Sequence, residues 1–102
     1  MRIVLSGPIQ ACPDFLTVFG DAAERLRAEG HTVFNPADLP QAALAKIATQ
    51  AEHQVALRRC VEEIALADEL VVLPNWQVSK GARFEVFVAG ELGVRVRFLE
   101  FA

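Results

Sequence analysis

The chain has 102 residues, 53% of them hydrophobic, with 10 Lys or Arg against 13 Asp or Glu and a formal net charge of −3. A chain this long forms one core, removing roughly 65% of its unfolded surface from water, so residues 1–102 read as a single domain. There is no basic field, no Lys/Arg cluster interleaved with aromatics and no apolar run of membrane-spanning length, which sets aside polymeric nucleic acid and a membrane as partners.

Cys12 and Cys60 are far apart and lack any CxxC or Cys/His spacing, and His31 and His53 are equally isolated. Neither a disulfide framework nor a metal site is implied, and no cofactor signature is present. Arg2 is followed by only three apolar residues before Ser6-Gly7-Pro8, too few for the apolar region of a signal peptide, so the expected compartment is the cytoplasm. The apolar excess suits a sheet covered on both faces and leaves surface for self-association, making a homo-oligomer the expectation.

In chain order, RIVLS (2–6) reads as a buried strand stopped by Gly7-Pro8, since proline lacks the donor that a ladder needs. From Asp14, apolar residues Phe15, Phe19, Ala22, Ala23 and Leu26 recur at helical spacing, and Gly30 ends the helix as a left-handed cap. HTVFN (31–35) is a second strand, closed by Pro36. Residues 37–50 hold a loop and then an alanine-rich helix. Leu57, Val61 and Ile64 mark the inner face of a helix over about 52–66. Glu69–Leu73 is the third strand, 80–92 the last helix, and Val94–Leu99 the last strand, with Gly93 as the stop between these two. The alternation predicts a flavodoxin-like or Rossmann-like α/β three-layer sandwich, with a mainly parallel sheet of four to five strands and the first strand central. Ligands bind such sheets beyond the C-terminal ends of the strands, where the loops GPIQACPDF, NPADLP and PNWQVSKG meet.

The residues of these loops have both ordinary and functional readings. Ser79 suits a helix N-cap, and with Gly81, Lys80, Arg83 and the free N–H groups of the first turn it also suits an anion site. Glu85 lies a turn and a half inside the helix, where the dipole benefit has faded, and Ala82 stands where a capping box would need Glu or Gln. Its carboxylate therefore either reaches solvent or lines a polar cavity, in which its proton affinity is tunable. Gly7-Pro8 reads first as a turn. Trp76 reads as a lid or interface aromatic, and together with Asn75 could face a nucleobase. Cys60 reads as a small core residue, and Asn35-Pro36 as a strand end.

Together, RIVLSGP, HTVFNPADLP and ADELVVLPNWQVSKGARFE resemble the nucleoside 2-deoxyribosyltransferase-like superfamily, nearest to its small DUF4406-type members with their LPGW-x-x-S-x-GAR-x-E pattern. The resemblance spans almost the whole chain. It implies that Glu85 is the nucleophile that attacks the anomeric carbon. Six residues earlier the transferases carry an aspartate, whereas the deoxynucleoside 5′-monophosphate N-glycosidases carry a phosphate-binding serine, so Ser79 favours a nucleotide over a free nucleoside. Three positions depart from the pattern. The tyrosine that helps set the glutamate falls at Val4, the aspartate on the third helix falls at Cys60, and Arg83 replaces a glycine of the monophosphate enzymes. Asp68 lies toward the opposite edge of the sheet, leaving Asp38 and Asp14 as candidates for a second carboxylate.

The expected function is cleavage of an N-glycosidic bond in a nucleotide or nucleoside, by hydrolysis or transfer. Glu85 and Asp38 are the catalytic candidates, and Ser79, Gly81, Gly7, Pro8, Asn75, Trp76 and Arg83 the binding candidates. A non-catalytic nucleotide-binding module and a structural oligomer with a vestigial pocket are the alternatives.

Overall fold

The computed structural model describes residues 1–39 and 49–99. Four strands, β1 (Arg2–Ser6), β2 (Thr32–Phe34), β3 (Glu69–Val72) and β4 (Arg95–Phe98), form one sheet in the order β2-β1-β3-β4. Every pairing is parallel, with Ile3 beside Val33 and Glu69, and Glu69 beside Arg95. Among the described residues three helices cover the sheet: α1 (Phe15–Ala28), α2 (Gln50–Ala65) and α3 (Lys80–Glu91). The four-strand end of the expected range is the one observed, and β1 is an inner strand as predicted. The alanine-rich helix expected within 37–50 falls mostly outside the described residues; within them, Pro36–Asp38 makes a single 3-10 turn.

The period-two alternation of β1 divides the core into two layers. Ile3 and Leu5 point to α1, packing with Phe19, Ala22, Ala23 and Leu26, while Val4 points the other way, packing with Ile64 of α2 and Ala89 of α3. Ser6 continues the Val4 series and therefore faces α2 and α3 from the C-terminal end of the strand. The winding order reverses at β1, which leads to β2 on one side and neighbours β3 on the other. A parallel sheet leaves its binding crevice at such a switch point.

Helix ends account for most of the boundaries. At the end of α1, Gly30 takes φ +96°, the His31 N–H reaches the Leu26 carbonyl and the Gly30 N–H reaches that of Arg27, a Schellman motif. Gly93 repeats it after α3, where the Val94 N–H reaches the Ala89 carbonyl. α2 starts two residues earlier than predicted because Thr49 and Glu52 form a capping box, each side chain bonding the other's backbone N–H. β2 is shorter than predicted because the Asn35 side chain turns to accept the Ala37 N–H and opens the 3-10 turn. β3 is one residue shorter than predicted, yet Leu73 still donates its N–H to the Ser6 carbonyl at 2.8 Å.

Candidate active site

α2 and α3 both begin at the C-terminal edge of the sheet and run back along it, so their first turns flank the switch point. Between them and the loop after β1 is a cavity of about 600 Å³. Gly7, Ile9 and Gln10 line it from the loop, His53, Leu57 and Cys60 from α2, and Ser79, Gly81 and Glu85 from α3.

Glu85 sits on the apolar stripe of α3, between Ala82 and Ala89, and only 6% of its surface is exposed. Of the two outcomes open from sequence, solvent or cavity, the structure shows the cavity. The Ser6 hydroxyl donates to its Oε1 at 2.8 Å, and the Cys60 thiol donates to the same carboxylate. Burial outweighs both bonds and pushes the Glu85 carboxyl up to about 7. The same burial, reinforced by the neighbouring carboxylate, raises Cys60 far above its ordinary value, so it stays a thiol and serves as a donor. A group ionising near neutrality in a half-open cavity can exchange a proton or attack an electrophilic carbon.

Ser79 is an N-cap, its Oγ accepting the Ala82 N–H at 3.1 Å, and its own O–H is left to donate into the cavity it lines. The cap and the cavity are thus compatible readings. Gly81 is not demanded by packing, since a Cβ there would meet only Ser79 Oγ, at 4.0 Å. Gly7 is demanded, because a Cβ would lie 2.9 Å from Leu73 Cβ and 3.2 Å from Phe19 Cζ.

Glu85, Ser79, Gly81 and Gly7 therefore line one cavity. Pro8, Asn75, Trp76, Arg83 and Asp38 do not line it. Pro8 is buried, and Arg83 and Asp38 are exposed. Asn75 adopts a left-handed conformation (φ 66°) that starts the turn before Ser79. Trp76 packs on Phe98 of β4, with ring centroids 5.4 Å apart. Among the described lining residues Glu85 is the one acid: Asp14 lies exposed at the start of α1, and Asp68 accepts the Arg2 N–H at the opposite edge of the sheet. Sequence reading passed over Ser6, the Cys60 thiol, His53 and Gln10. Ser6 was within reach, since it shares the face of Val4, two positions away.

The parallel order of the sheet, with the cavity at its switch point, defines a Rossmann-like α/β fold. A 2-deoxyribosyltransferase of Bacillus psychrosaccharolyticus, a biocatalyst for the synthesis of antiviral and antitumoral nucleosides, superposes with a TM-score of 0.75. It is 24% identical, and the alignment covers 96% of this chain and 71% of that one. The chain belongs to the DUF4406 family, a domain of unknown function, which it matches over residues 1–98. No curated protein sequence matches it significantly.

Proposed function

We propose that this protein cleaves the N-glycosidic bond of a nucleoside 5′-monophosphate or related nucleoside, with Glu85 as the nucleophile. The observation that carries the reading is the buried Glu85 carboxylate, held by Ser6 and Cys60 on the floor of a cavity. Structural carboxylates seldom occupy the apolar stripe of a helix, because burial costs them several kcal/mol, roughly, unless a function retains them. A Glu85 oxygen attacks C1′ as the C1′–N bond breaks, and the base leaves with the electron pair and takes up a proton. Water then attacks C1′, the ester C–O bond breaks, and the carboxylate is restored with release of the sugar phosphate. Ser6 and Cys60 do the positioning that the resemblance assigns to a tyrosine at the place of Val4. Their bonds stabilise the ionised form against burial, so that an attacking carboxylate exists near neutral pH.

The phosphate is assigned to Ser79, Gly81 and the first turn of α3, where the hydroxyl and unpaired N–H groups combine with the positive end of the helix dipole. α3 also exposes Phe84 (47%), which lines the cavity, and Phe87 (63%), apolar surface that supports self-association, to be checked by solution molar mass. The test of function is a panel of nucleosides and their 5′-monophosphates, scored for binding and for released base. Release supports the enzyme, binding without release a nucleotide-binding module, and neither a structural role.

A further inference from the structure

The cavity has a second polar end that the proposed chemistry does not use. The Gln10 side-chain amide nitrogen, on the loop after β1, lies 2.7 Å from His53 Nε2, joining two segments across the rim. Both residues line the cavity, with Gln50 and Gln54 beside His53. His53 precedes Cys60 by two helical turns on the same face of α2, which sets it about 10 Å along the axis from the thiol that touches Glu85. Ser79 precedes Glu85 by about 9 Å along α3. The floor carboxylate thus lies between a helix-start anion site on one wall and an amide–imidazole pair on the other.

We infer that Gln10 and His53 form the specificity-determining contact for the nucleobase, selecting heterocycles with an amino or oxo group beside a ring nitrogen on the edge away from the sugar. The inference rests on the proposed function: with C1′ over Glu85 and the phosphate at Ser79, the heterocycle extends toward α2 and the β1 loop. Imidazole and amide are both donors and acceptors, and a base edge carrying an adjacent donor and acceptor replaces the bond they now make to each other. An edge without those groups separates the pair and returns nothing. The pair is exposed in the empty cavity, and a bound base that covers it shuts out water, so that the wrong base leaves its groups unpaired.

The experiment measures dissociation constants for three probes, a 6-amino- or 6-oxopurine deoxynucleoside 5′-monophosphate, its 6-unsubstituted analogue and 2-deoxyribose 5-phosphate, on the parent chain, His53→Ala and Gln10→Ala. The parent is expected to prefer the substituted base about tenfold, and each variant to lose most of that preference, while the baseless sugar phosphate binds all three proteins equally. If a variant weakens all three probes alike, the pair only ties the loop to α2 and the inference fails alone. Unchanged preference in both variants also overturns it alone. If none of the probes binds the parent chain, the proposed function falls, and the inference with it.

Discussion

Replacing Glu85 by Gln tests the site without a ligand. Glu85 ionises at about 7 when folded, against its ordinary 4.5, so it holds its proton more tightly in the native state than in the unfolded one. Between these two values the native state carries more protons. The associated stability is fully present below about 4.5 and is lost as pH rises through 7, by about 3 kcal/mol in all. Glutamine keeps the shape, accepts the Ser6 O–H and never ionises. It loses the partner suited to the Cys60 thiol, a cost of about 1 kcal/mol at any pH. In urea unfolding, E85Q should therefore be slightly less stable than the parent near pH 4 and more stable by about 2 kcal/mol near pH 8. Taking the difference between the two proteins cancels every other titrating group. A difference flat to within about 1 kcal/mol across that range would refute a buried, proton-retaining Glu85.

Ser6→Ala removes a donor that favours the ionised form, so the rise of base release with pH, expected to centre near 7 in the parent, should move up by about one pH unit. An unmoved midpoint in the kcat/KM profile would mean that Ser6 does not act on Glu85. Ser79→Ala should weaken binding of a nucleoside 5′-monophosphate by about 1 to 2 kcal/mol, leaving the free nucleoside little changed by calorimetry. Equal losses for both would leave Ser79 as a helix cap alone. Gly7→Ala should cost about 1 to 3 kcal/mol in thermal or urea unfolding, since the new Cβ would lie 2.9 Å from Leu73 Cβ, an atom fixed close to the backbone.

The layers of the fold could be read from local patterns. Strand periodicity in 2–6 and 69–73, helical spacing from Phe15 to Leu26, and the glycines at 30 and 93 each act over a few residues, and the right-handed parallel connection does the rest. The Thr49–Glu52 capping box was also present in the sequence and would have placed the start of α2. The site was legible only where one element supplied it: Ser79, Gly81 and Glu85 lie on a single helix, and Gly7 leads into the facing loop. The polar partners of Glu85 come from β1 and α2, and nothing local distinguishes a strand-end serine or an isolated cysteine that meets a carboxylate. Trp76 went the other way. Its position in the loop after β3 pointed to the ligand, but the left-handed Asn75 turns it onto Phe98, where an aromatic contact and the edge of the sheet hold it.

The central claim is that Glu85 forms a covalent bond to the sugar, and rapid-quench mass spectrometry of the chain mixed with deoxynucleoside 5′-monophosphates tests it most directly. A deoxyribose 5-phosphate ester should appear on the parent during turnover and map to Glu85. E85Q should bind the same nucleotide, carry no adduct and release base more slowly by orders of magnitude. An adduct mapping elsewhere, or base release by E85Q at the parent rate, would contradict the account.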